Sequence, residues 1–147
     1  MDGVIADFDQ GYLELTGQKA SFDTDPKEFW KPISDAGASF WAMLPWMPDG
    51  PELWSYIKRY KPYILSAPSS NPSSRVGKEV WCKMHINNQY RKLLLYPRNQ
   101  KQTFAEPGRI LIDDMKQTIN EWNAKGGIGI HHTSASNTIA QLKKLGL

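Results

Sequence analysis

Four short stretches of the chain carry side chains whose types and order could do chemistry. The first is Asp2-Gly3-Val4-Ile5-Ala6-Asp7-Phe8, near the front. Ser66 ends the apolar run Tyr63-Ile64-Leu65, and Lys101 lies in Gln100-Lys101-Gln102-Thr103-Phe104-Ala105. Asp113 and Asp114 end the run Ile110-Leu111-Ile112. Carboxylate oxygens suit a hard divalent cation, and a hydroxyl with an ammonium suits the oxygens of an anion. Each piece alone also has a plainer reading. Ser66 could be a turn residue ahead of Pro68, and Asp113-Asp114 could simply favour the start of a helix. Lys78 and Arg75 follow the serine and rival Lys101 as the cation. His85, His131 and His132 lack metal-ligand spacing. Cys82 sits in a helical stretch without an activating partner and reads as structural.

The elements that must position these residues alternate in period. Runs at 63–66, 93–96, 109–112 and 128–130 read as short buried strands. Between them, residues 73–84 read as a helix with Val76, Val80, Trp81 and Met84 on its apolar face. Residues 118–124 read as a helix stopped by Gly126-Gly127. Residues 137–145 read as a last helix with Ile139, Leu142 and Leu145 inward. Continuous apolar strands separated by helices predict an α/β fold, a Rossmann-like parallel sheet covered on both faces. Ligands of such sheets gather at the strands' carboxyl ends, where Ser66, Asp113 and Asp114 fall.

Residues 10–61 differ. They are aromatic, punctuated by proline and mostly helical in pattern, and read as a small helical cap inserted into a core made of residues 1–9 and 62–147. About 50 residues cannot bury so many large aromatics alone, so some must meet the core. One or two could line a slot for a flat base.

The chain has 147 residues, 18 Lys and Arg against 15 Asp and Glu, and 12% aromatics. That excludes a disordered chain, and no apolar run is long enough for a membrane helix. A single cysteine excludes a disulfide framework and fits a reducing, cytoplasmic setting. The charges show no long basic block along the sequence, so nucleic acid is not an expected partner.

Taken together, DGVIADF, LPWMPDGPELW, ILSAPSS and ILIDD followed by Asn120-Glu121-Trp122 resemble the haloacid-dehalogenase-like phosphohydrolases. Within them the chain is similar to the 5′(3′)-deoxyribonucleotidase branch, in its short phage and bacterial form. The resemblance implies Mg²⁺-dependent release of phosphate from (deoxy)nucleoside monophosphates through an aspartyl-phosphate. It makes Asp2 the general acid/base, its carbonyl a metal ligand, and Ser66, the Ala67 amide and Lys101 the phosphate holders. Asp113 and Asp114 become metal ligands. Phe8 is expected near the sugar, and Phe40 and Trp41 against the base. The implied partner is a small phosphomonoester, and a homodimer is compatible with it.

The pattern departs from the family at the front. The family's motif is Asp-x-Asp-Gly after an apolar strand, with the first Asp as nucleophile. Met1 here fills the x position, so strand and nucleophile are expected ahead of residue 1. Two other readings stay open: a nucleotide-binding protein without catalysis, or a shifted motif in which Val4-Ile5-Ala6 is the strand and Asp7 and Asp9 the carboxylate pair. A phosphatase acting on 3′-ends of nucleic acid is a further alternative.

Overall fold

A computed structural model describes residues 1–147. Residues 1–6 fold back on themselves. The Met1 carbonyl accepts from the amides of Val4, Ile5 and Ala6 at 3.2, 2.9 and 3.1 Å, and Gly3 donates to the Ala6 carbonyl at 2.9 Å. Asp7 donates to Pro45 O and Met47 to Ile5 O, both at 2.8 Å, which ties this loop to residues 45–47.

Four helices follow. The first, α1 (Phe8–Thr16), starts because the Asp7 carboxylate accepts from Gln10 N at 3.0 Å, and stops at Gly17 with φ +74°. Then come α2 (Pro26–Ala36), capped by Asp25, the single-turn α3 (Ala38–Ala42), and α4 (Gly50–Ile57). A 3₁₀ turn, Lys58–Tyr60, leads out of α4. The remainder alternates: β1 (Ile64–Ser66), α5 (Ser73–His85), β2 (Leu93–Leu95), a 3₁₀ segment Arg98–Phe104, β3 (Ile110–Asp113), α6 (Lys116–Ala124), β4 (Ile128–His131) and α7 (Ala135–Lys144).

All strand pairing is parallel, as the apolar runs predict: Ile64 faces Leu93 and Ser66 faces Leu95, while Ile110 faces Ile128 and Asp113 faces His131. The architecture is mixed α/β, with short parallel strands flanked by helices. The strands form two separate pairs, β1-β2 and β3-β4. Between the pairs lies a narrow apolar gap of about 110 Å³. It is lined by Ile64 and Leu65 of β1, Ile110, Leu111 and Ile112 of β3, and Met1. The strand edges at this gap carry backbone groups without a ladder partner.

The apolar face expected of α5 is corrected by the structure. Val76 (56%), Val80 (36%) and Met84 (62%) are exposed, and only Trp81 of that set is buried. The buried side of α5 is instead Ser74, Gly77, Lys78, Trp81 and Cys82. The reason is close packing on α3. A Cβ at Gly77 would overlap the Ala38 carbonyl and the Trp41 side chain, so a small face is required there. Trp81 Nε1 also donates to Leu44 O at 2.8 Å.

One apolar cluster therefore joins the helices of residues 10–61 to the strands and α5, through Val4, Ile5, Trp41, Leu44, Ile64 and Trp81. At the other end α4 packs on α7: Asp49 accepts from Ala135 N at 2.7 Å, and the Tyr56 hydroxyl donates to Leu147 O at 2.7 Å. Leu145, expected inward, lies just past α7 and is exposed. No helix is long and apolar enough to cross a membrane.

Candidate functional site

Ser66 closes β1 and Asp113 closes β3, so both sit at carboxyl ends of parallel strands. Ser66 is buried, and its Oγ accepts from Lys78 Nζ at 2.9 Å. The same Nζ lies 2.7 Å from Asp2 Oδ2. Lys78 is fully buried, and its ammonium stands 4.9 Å from the centre of the Trp41 ring. One ammonium thus bridges the front loop, the end of β1 and the cap. The other Asp2 oxygen, Oδ1, is buried without a hydrogen-bond partner.

A second pair stands beside the first. Lys101 is carried by the 3₁₀ segment ahead of β3 and is buried, with its Nζ 2.8 Å from Asp113 Oδ2. Asp113 Oδ1 accepts from Met115 N at 2.9 Å. Burial alone would push the Asp113 carboxyl up, but the Lys101 ammonium and the Met115 amide outweigh it and hold it below the usual range. Asp114 is shifted oppositely, raised by burial and by the charge of Asp113. Its carboxylate lies against Gly3, where a Cβ would overlap Oδ2 and where φ is +75°. Gly3 therefore lets Asp114 close on the front loop. The buried Met1 amino group is pushed down by burial and then by Lys101, and it also senses Asp2, Asp113 and Lys78. The two ion pairs thus flank residues 1–3.

The structure brings Asp2, Ser66, Lys101, Asp113 and Asp114 to one edge, as the residue pattern anticipates, and adds Lys78. Lys78 and Lys101 are not exclusive: one bridges Ser66 to Asp2, the other closes Asp113. The sequence signal for Lys78 is its place four residues after Ser74 and one after Gly77, on the small face of α5. Arg75 points elsewhere, its guanidinium 3.5 Å from Leu95 O. Asp7 is spent as a helix cap, and Asp9 lines a different cleft. The shifted carboxylate pair is therefore not assembled at this edge. His132 is buried with Nδ1 2.7 Å from Thr138 Oγ1, and burial lowers its pKa. Burial pushes the Cys82 thiol up to about 11, which keeps it protonated and inert.

Phe40 and Trp41 are 7% and 2% exposed. They pack inside the cap rather than presenting a face, because α3 is pressed onto α5. Phe8 stands in front of them, with ring centres 5.6 Å from each. On its other side opens a cleft of about 410 Å³ lined by Phe8, Phe22, Phe29 and Trp30. Phe22 is fully exposed on its rim.

The carboxylates do not gather into a group of three that could hold a metal ion. Lysines close Asp2 Oδ2 and Asp113 Oδ2. The residues present therefore do not fit a divalent cation as they stand. The edge gathers a buried hydroxyl, two buried ammoniums each paired with a carboxylate, and one buried carboxylate oxygen without a partner.

No protein-family model and no curated protein matches the chain. Among solved structures, it is similar to a hydrolase from Streptococcus pneumoniae TIGR4, with a TM-score of 0.57 and 13% identity. The match covers 97% of this chain and 95% of that one. The two chains share a fold. At that identity the likeness is one of architecture and transfers no residue roles.

Proposed function

We propose that this chain is a hydrolase of haloacid-dehalogenase-like type that releases phosphate from (deoxy)nucleoside monophosphates, in the manner of the 5′(3′)-deoxyribonucleotidases. The observation that carries this is the pair of buried lysines, Lys78 and Lys101, set with Ser66 and Asp2 at the strands' carboxyl ends. Two buried ammoniums each closed by one carboxylate make a seat that a phosphoryl dianion can enter, exchanging carboxylate contacts for phosphoryl oxygens. The likeness in fold to the pneumococcal hydrolase is consistent with this reading.

In the reading, Ser66 Oγ, the Ala67 amide and Lys101 hold the phosphoryl oxygens, and Lys78 orients Asp2 and shares the anion's charge. A carboxylate oxygen attacks phosphorus as the bond to the leaving oxygen breaks, and Asp2, which takes up a proton when the phosphoryl group draws Lys78 away from it, gives that proton to the leaving oxygen. Water then attacks the aspartyl-phosphate, losing its proton to Asp2; phosphate leaves and the carboxylate is restored. In the family that the residue pattern resembles, the attacking carboxylate stands two positions before the residue that Asp2 matches. The family resemblance implies Mg²⁺, but Lys78 and Lys101 close the carboxylates that would hold it. The cleft beside Phe8, with Phe29 and Trp30, is the open aromatic surface for a base, and Phe40 and Trp41 support it from behind.

A second reading, nucleotide binding without turnover, is favoured by one observation: within residues 1–147, Asp7 and Asp9 do not supply the attacking carboxylate at this edge. Both readings require the anion seat. Calorimetric titration with inorganic phosphate and with thymidine monophosphate should give saturable binding by the unaltered chain. Lys101→Met should weaken it about tenfold or more, the scale of a lost charge-assisted contact. No binding of either ligand to a folded protein would remove both readings.

A further inference from the structure

Charge is divided unevenly along the chain. Residues 1–52 hold three lysines and ten carboxylates, whereas residues 53–147 hold fifteen Lys and Arg and five carboxylates. No Asp or Glu occurs in residues 53–78, 80–105 or 122–147. Dispersed in sequence, these cations are gathered by the fold. The turn after α4, the loop before β2 and the end of α7 meet at the amino ends of β1 and β2. Arg91 N donates to Pro62 O at 2.8 Å, Ile64 N donates to Lys92 O at 3.0 Å, and the Tyr56 hydroxyl reaches Leu147 O.

Tyrosines are interleaved with the cations. The Arg59 guanidinium lies 4.5 Å from the Tyr56 ring centre and 5.1 Å from that of Tyr60. Arg91 lies 5.6 Å from Tyr63, and Lys143 lies 6.0 Å from Tyr56. Tyr60 and Tyr63 are 44% and 54% exposed. None of Arg59, Lys61, Arg91, Lys92, Lys143 or Lys144 has a carboxylate within ion-pair distance. Glu79, the one acid between residues 53 and 105, is paired with Lys83. This surface lies at the opposite strand ends from Ser66 and is independent of the anion seat.

We propose that this face binds single-stranded nucleic acid. Unpaired cations spaced over three segments suit a phosphate backbone. Exposed tyrosine rings held by guanidinium groups suit unstacked bases, which any sequence can supply. An anionic membrane is the less suited partner, because Leu145 is the exposed aliphatic side chain beside the patch and the apolar side of α7 is turned inward, with Leu142 buried.

The test is fluorescence anisotropy of a labelled oligothymidylate about 15 nucleotides long, titrated with the full chain. Saturable binding is expected, falling about tenfold or more between 50 and 200 mM salt, as three or more neutralised phosphates require. The double variant Arg59→Glu, Arg91→Glu should weaken it at least tenfold. Tyr60→Ala with Tyr63→Ala should weaken it about fivefold or more and leave the salt slope unchanged. A matched reversal elsewhere, Lys27→Glu with Lys125→Glu, should leave affinity within twofold, and circular dichroism melts report folding of every variant. Salt-independent binding, no binding at 50 mM salt, or equal losses in both charge reversals would overturn the proposal. So would binding to phosphatidylserine vesicles without binding to the oligonucleotide.

Discussion

Lys78 is the residue on which the candidate site turns. It is a fully buried ammonium reached from a helix face that has no aliphatic stripe. Removing its charge leaves Asp2 Oδ2 and Ser66 Oγ without their shared donor. Lys78→Met should cost about 2–3 kcal/mol in urea unfolding, at the low side for a broken buried pair because Asp2 is 30% exposed. A loss under about 0.5 kcal/mol would mean the ammonium is not held as described. That Asp2, Ser66, Lys101 and the Asp113-Asp114 pair meet at one edge was legible from their order and from the strands that Ser66 and Asp113 end; their roles come from the family resemblance alone. The split between the two lysines was not. That depends on which helix face turns inward, and Gly77, a residue without a side chain, decides it. Phe40 and Trp41 were legible as aromatics of the cap but not as its interior, for the same reason.

At the scale of elements, the four strands and the helices between them could be read from period and from their stops at Gly and Asp. Their parallel pairing followed from apolar strands covered on both faces. The inward side of α5 could not be read, because hydrophobic periodicity assumes that a buried face is apolar. Here Ser74, Gly77 and Lys78 are buried by close approach of α3 and by the polar site. Two substitutions separate the alternatives. Gly77→Val should destabilise by about 2 kcal/mol or more, since its side chain has no room against the Ala38 carbonyl and the Trp41 side chain. Val76→Ser, on the face that sequence period would bury, should stay within about 0.5 kcal/mol. Thermal melts of both variants check this, and the reverse ranking would restore the amphipathic reading of α5.

Over the whole molecule, two strand pairs stand either side of an apolar gap, and the ionic groups close over its carboxyl end. The fold shared with the pneumococcal hydrolase gives the layers but not the chemistry. The central claim is that Asp2, Ser66, Lys78 and Lys101 work on a phosphomonoester once a carboxylate enters two positions ahead of Asp2. The direct measurement uses a chain extended at its amino end by an apolar segment of about six residues whose final residue, Asp, adjoins Met1. Phosphate release from thymidine monophosphate is followed with Mg²⁺ and with chelator. Turnover by the extended chain is expected, lowered about a hundredfold or more by Asp2→Asn, the scale of a lost general acid. A folded, extended chain that binds the nucleotide yet releases no phosphate would contradict hydrolysis and leave nucleotide binding as the function of this edge.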